Sequence, residues 1–261
     1  MKHKRLYIYL TACIFFLYGI QIVYSKSRPR TTLPILGFHH IAPDAEAEAN
    51  FPHNMWVTKL STFEEEMKYL YEQGYHTLTL DEVYAWRMGH LSLPEKSVVI
   101  TFDDGFLSSI HYAQPILEKY GFHGSVFAIA SSIKEHGPYD ATIRQHASLS
   151  DINASSLEFY SHTYDLHHKD KGFRIDQMKK AQLEADIEKS NQLVSSEYLA
   201  YPYGHANDTL IEVLKQKGTK LAFGFNENKK ASIKDDPYRL PRFCVNRYTT
   251  LEVFQAMLEG S

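Results

Sequence analysis

Cysteine is nearly absent from this sequence: 261 residues carry only Cys13 and Cys244, and Cys13 lies within an apolar N-terminal run. A disulfide between the two is not expected, and a disulfide scaffold is excluded. That absence leaves secretion open, because a domain of this length buries enough apolar surface to need no staples. An excess of basic charge is also missing, with 28 Lys and Arg against 31 Asp and Glu and a formal net charge of −3. No global positive field exists, so a nucleic-acid partner is not expected. Repeats, low-complexity tracts and any linker-like break after residue 32 are lacking too. One domain over residues 33–261 is the simplest organisation, and its balance of apolar and charged residues suits a packed core.

What is present begins at the N-terminus. Lys2, His3, Lys4 and Arg5 precede an apolar run from Leu6 to Tyr24. The run is about as long as a bilayer crossing, which needs roughly 20 residues. Residues 1–25 therefore read as a signal peptide, with Val23-Tyr24-Ser25 as a poor cleavage site, or as an uncleaved membrane anchor. Leu10-Thr11-Ala12-Cys13 also resembles a lipoprotein box, but strongly apolar residues continue past the cysteine, which ranks that reading lower. The basic flank stays inside, so the remainder is expected to be extracytoplasmic, either secreted or anchored on the outer face of the membrane. Residues 26–32, basic and Pro-containing, read as a linker.

Beyond it, short apolar runs alternate with longer amphipathic ones. Strands are expected at 33–38, 76–80, 98–102, 124–130, 157–161, 198–201 and 221–223, the last obvious one. Helical spacing covers 62–73, 110–120, 173–194 and 207–217. Strands with intervening helices imply βα units and a parallel sheet. Several strands end in polar, chemically able residues, as they do at the carboxyl face of an α/β barrel. A distorted or incomplete (β/α) barrel is the expected fold class.

Two of those strand ends carry the strongest signals. Thr101-Phe102-Asp103-Asp104-Gly105 sets adjacent carboxylates after a buried strand. Like charges and desolvation penalise both, so a metal ion or an arginine is expected nearby. The bland alternative is a pair of caps for the following helix. His162 follows another strand, with His167 five residues on and His168 beside it. That spacing is not the i, i+4 pair of a helical zinc motif, and suits a strand end plus a returning loop. A solvated His-rich loop is the alternative. Two imidazoles and one carboxylate would leave a divalent metal with open positions, as a catalytic site requires.

These residues resemble the polysaccharide deacetylases of carbohydrate esterase family 4, over about residues 33 to 250. Thr101 to Gly105 matches the family's first motif in full, which implies Asp103 as general base and Asp104 as metal ligand. The second motif is usually His-Ser/Thr-x-x-His, and this chain has one residue more between the histidines. The longer form is similar to the subgroup acting on poly-β-1,6-N-acetylglucosamine of biofilm matrices. It implies His162 and His167 as the other ligands, with His168 competing. Ala200-Tyr201-Pro202-Tyr203-Gly204 resembles the third motif, implying a Tyr203 backbone amide for the oxyanion and a place for Tyr203 against substrate. The usual Arg before that motif is missing. Leu240-Pro241-Arg242-Phe243 resembles the subgroup's later segment, which implies Arg242 orienting Asp103; a surface ion pair is the alternative for Arg242. His39 aligns with a Tyr-His element and is expected to face substrate, unless it is a bonded core histidine. No His follows His205, so the family's usual general acid is missing.

The chemistry implied is metal-assisted hydrolysis of an N-acetyl group on an extracellular polysaccharide. Zn is the favoured cofactor, with Co, Ni or Fe as alternatives, since two imidazoles disfavour Ca. Poly-β-1,6-N-acetyl-D-glucosamine is the favoured substrate, with peptidoglycan and chitooligosaccharide as rivals. A catalytically weakened carbohydrate-binding surface protein is the rival from another class. A membrane partner follows only if residues 1–25 are retained, and the oligomeric state is open.

Overall fold

The computed structural model describes residues 30–259. The expectations for residues 1–25 and for Cys13 lie outside the described residues. Thr31 and Thr32, at the end of the expected linker, are already tied to the domain. Ile233 N–H donates to the Thr31 carbonyl at 2.9 Å, and Thr32–Leu33 pairs antiparallel with Ala231–Ser232.

An eight-stranded parallel sheet organises the molecule. In chain order its strands are β1 (Ile35–Phe38), β2 (His76–Thr77), β3 (Ser97–Phe102), β4 (Ser125–Ala128), β5 (Glu158–Ser161), β6 (Ser195–Ala200), β7 (Leu221–Phe223) and β8 (Phe243–Cys244). The spatial order is β7-β6-β5-β4-β3-β1-β8, with β2 joined to the start of β3. The segment leading into β8 also reaches the opposite edge: Phe223 bridges Leu240, and Gly224 N–H donates to the Leu240 carbonyl at 2.8 Å. The sheet therefore curls toward closure as the expected distorted (β/α) barrel.

Side chains alternate between two apolar layers, as the two-residue period of a strand requires. Leu36, Phe38, Ile100, Phe102 and Val126 pack with Phe63, Met67, Ile116 and Phe254 of flanking helices. Ile35, Val99, Phe127, Tyr198 and Phe223 face the other way, packing with Leu80, Val83 and Trp86. Each fully buried side chain of this kind contributes about 1.5–3 kcal/mol.

Three expectations are corrected. The strand at 76–80 stops at Thr77, because Thr79 caps a helix over Leu80–Arg87: its hydroxyl accepts from Glu82 N–H while the Glu82 carboxylate accepts from Thr79 N–H. The single helix at 173–194 is two, Arg174–Gln177 and Lys180–Asn191, separated where Met178 is extended at φ −99° and ψ 142°. There Gln182 reaches back to accept from Lys179 N–H at 2.9 Å and starts the second helix. Leu221–Phe223 is not the last strand, since β8 follows. Two residues long, β8 is too short to show a period. Among the described residues no helix is long and apolar enough to cross a membrane.

Candidate active site and metal centre

The carboxyl ends of β1, β3, β4, β5, β6 and β7 converge on one cavity of about 350 Å³. Asp103 and Asp104 directly follow β3 and are buried, at 3% and 7% exposure. Asp104 adopts φ +69° and Gly105 φ +77°, two left-handed residues in succession that turn the chain away from the strand. A side chain on Gly105 would lie 2.7 Å from Ala128 Cβ, so only glycine fits. Thr163 after β5 and Tyr203 after β6 are left-handed as well, at φ +68° and +58°. Backbone strain in non-glycine residues thus gathers at this end of the barrel.

Arg242, wholly buried, is the partner of Asp103. Its Nη1 and Nη2 donate to the two carboxylate oxygens at 2.7 Å each. Nη1 also donates to Thr101 Oγ1 at 3.0 Å and Nε to the Gly224 carbonyl at 2.7 Å. Burial pushes the Asp103 carboxyl upward, but Arg242, His162 and His39 outweigh it and hold the pKa down to about 2. Asp103 is therefore ionised and fixed in orientation. The alternative of a surface ion pair for Arg242 is ruled out by its burial.

Beside that pair, one ligand atom each from Asp104, His162 and His167 lies within 4.8 Å of the others. Asp104 Oδ1 is 3.6 Å from His162 Nε2 and 3.4 Å from His167 Nε2, yet it is buried and, among the described residues, has no hydrogen-bond partner. His162 Nδ1 donates to the Ala200 carbonyl at 2.8 Å, and burial lowers the His162 pKa to about 3. The ring is neutral, with its proton on Nδ1, so Nε2 turns a lone pair toward Asp104. Burial also lowers the His167 pKa. Neither contact is then an ion pair. Lone pairs converging on such a buried oxygen form a donor set that could hold a divalent cation. His168 is elsewhere, pairing with Asp165 at 2.9 Å on the surface.

The loop carrying these histidines is pinned from the helix Lys180–Asn191. Asp186 accepts from Tyr164 N–H at 2.8 Å and from Asp165 N–H at 2.9 Å. Ser190 meets Ser161 Oγ at 2.8 Å, and Ser161 Oγ accepts from Thr163 N–H at 3.0 Å.

His39 lines the cavity, its ring 4.6 Å from Trp56 and 5.1 Å from Phe225. Tyr203 also lines it, 44% exposed, with its ring 4.3 Å from that of His167. Sequence reasoning missed Trp56, Phe225, Phe106, Arg144 and His146, which complete much of the wall. Trp56 offered one signal, as one of only two tryptophans in the chain and outside any expected element.

Comparison with known proteins finds likenesses in sequence and in fold. The family model described as polysaccharide deacetylase matches residues 90–222. A poly-β-1,6-N-acetyl-D-glucosamine N-deacetylase from Staphylococcus aureus strain MSSA476 is 31% identical over 196 residues, covering 71% of this chain and 67% of the relative. A protein of the same description from Staphylococcus epidermidis is 31% identical over 194 residues, covering 70% and 66%. Among solved structures, a Streptococcus pyogenes deacetylase in complex with acetate superposes with a TM-score of 0.71 at 22% identity, covering 87% of this chain and 98% of that one. IcaB from Ammonifex degensii gives 0.70 at 23% identity, covering 88% and 98%. At those identities the two structures speak for the fold.

Proposed function

Since the chain belongs to the polysaccharide deacetylase family, we propose that it is a metal-dependent, extracytoplasmic enzyme that removes N-acetyl groups from poly-β-1,6-N-acetyl-D-glucosamine. The observation that carries the reading is the convergence of Asp104, His162 and His167 beside an Asp103 locked by Arg242. The linkage rests on likeness to the staphylococcal enzymes, and the location on the basic and apolar N-terminal segment.

Asp104, His162 and His167 would hold the cation, and two imidazoles with one carboxylate favour Zn²⁺. Such an ion, when bound, supplies Lewis acidity at the acetamide carbonyl and lowers the pKa of water. Asp103 accepts the proton of the attacking water on a carboxylate oxygen, with Arg242 holding the geometry. The Tyr203 backbone amide serves the oxyanion that develops as water adds to the carbonyl carbon. The C–N bond then breaks, acetate leaves, and the nitrogen stays on the sugar as an amine. Asp103 by then holds the proton that the departing nitrogen requires. His39, Trp56 and Phe225 form an aromatic wall for the sugar or the acetyl methyl group.

Acetate release from β-1,6-linked and β-1,4-linked N-acetylglucosamine tetramers tests the reading. The β-1,6 tetramer is expected to react faster, with activity lost to a chelator and restored by Zn²⁺ or Co²⁺. Faster release from the β-1,4 tetramer overturns the linkage, and chelator-resistant release overturns the metal.

A further inference from the structure

The cavity carries a cation that the chemistry above leaves unused. The segment Gln145–Ala147 is zipped to the turn that follows Asp104. Leu107 N–H donates to the Gln145 carbonyl at 2.7 Å, Ala147 N–H donates to the Gly105 carbonyl at 2.9 Å, and Phe106 bridges His146 antiparallel. Gln145 is buried and accepts from Asp140 N–H at 2.8 Å, which leaves Arg144 and His146 on the cavity side. His146 is committed there, its Nδ1 donating to the Asp104 carbonyl at 3.0 Å. Arg144 is not. It is exposed, with its guanidinium 5.2 Å from the centre of the Phe106 ring, and among the described residues its side chain makes no hydrogen bond or ion pair. Arg87, Arg174, Arg239, Arg242 and Arg247, by contrast, each donate to a carbonyl or carboxylate.

Resting on the polysaccharide reading, we propose that Arg144 is a specificity-determining residue: it holds the sugar adjoining the reacting unit and disfavours that neighbour once it carries a free amine. A guanidinium offers five N–H donors and no acceptor. It suits the hydroxyl and acetamide oxygens of an acetylated neighbour. The product of each turnover is an amine that protonates to an ammonium, which presents only donors and a like charge. Near a protein surface and over a spacing of one sugar, that repulsion changes relative affinity on the order of five-fold at low salt. Units flanked by acetylated neighbours are then used first, and amines accumulate apart from one another.

Binding to the Zn²⁺-loaded full chain carrying Asp103→Asn, where turnover is slowed by about 10²–10⁴, tests this. The probes are a fully N-acetylated β-1,6 tetramer and the fully deacetylated tetramer, each titrated at low salt against that chain with Arg144 kept (wild type at this position) and with Arg144→Gln or Arg144→Lys. The preference for the acetylated tetramer is expected to be about five-fold larger in wild type than in Arg144→Gln. Arg144→Lys is expected to keep most of it, and added salt to shrink it. Equal preferences in wild type and Arg144→Gln, or an Arg144→Lys protein that behaves like Arg144→Gln, overturn the inference alone. Failure of wild type to bind either tetramer overturns the polysaccharide reading and this inference with it.

Discussion

With both oxygens of Asp103 accepting from a wholly buried Arg242, each residue is costly without the other. Replacing Arg242 by Met leaves a buried carboxylate unpaired, a loss of about 3–5 kcal/mol measurable by denaturant unfolding. The same change moves the pH profile. Arg242 holds the Asp103 pKa down at about 2 against burial, and a base acts only when ionised. Without Arg242 the pKa rises, so the acid limb of kcat/KM moves to higher pH; an unmoved limb refutes Asp103 as the base. Asp103→Asn, which keeps the shape, is expected to lower kcat by about 10²–10⁴ while zinc affinity stays near wild type. At this scale much of the site was legible in the sequence, because carboxylates and histidines at strand ends are conspicuous and their resemblance to a family gave them roles. Trp56, Phe225, Arg144 and His146 were not legible. They sit in irregular segments where no period or spacing marks which way a side chain turns.

At the scale of elements, the histidine loop depends on a helix that sequence reasoning drew wrongly. A continuous helix over 173–194 fits the polar and apolar spacing, since a two-residue break hardly alters the pattern; tertiary packing decides it. The break frees Lys180–Asn191 to present Asp186 and Ser190 to the turn after β5. Asp186, touching backbone N–H groups and neither histidine ring, is then a positioning residue for the proposed metal centre. Asp186→Ala is expected to weaken Zn²⁺ binding by about 10–100-fold in competition with a chromophoric chelator. Asp186→Asn, retaining one acceptor, is expected to fall between it and wild type. Far-UV circular dichroism should stay unchanged in both, and wild-type affinity in Asp186→Ala would show that the loop holds itself.

The whole molecule obeys a simpler logic: strands buried on both faces build the barrel between two apolar layers, and the polar residues gather where the strands end. Alternating apolar and amphipathic runs made that architecture legible, while the segment Leu240–Cys244, which meets Phe223 at one edge and pairs with β1 at the other, fell below any pattern. Glu66 breaks the rule. It lies on the helix Leu60–Glu72 between Phe63, Met67 and Leu70, 1% exposed, and among the described residues neither carboxylate oxygen is hydrogen-bonded. Burial, with Glu65 adding to it, pushes its pKa well above the ordinary 4.5. Between the ordinary and the raised value, the folded chain binds the Glu66 proton more tightly than the unfolded chain does. The stability tied to that proton is complete below the ordinary value and is lost as pH rises through the window. Glu66→Gln keeps the shape and removes the titration. Its melting temperature is expected to lie near wild type at about pH 4.5 and to exceed it increasingly toward about pH 8. The gap should be several degrees, since 1 kcal/mol moves a domain of this size by about 2–4 °C. Melting curves that run parallel across that range would mean that Glu66 ionises in the folded protein at its ordinary pKa, with a partner or water that its burial does not suggest.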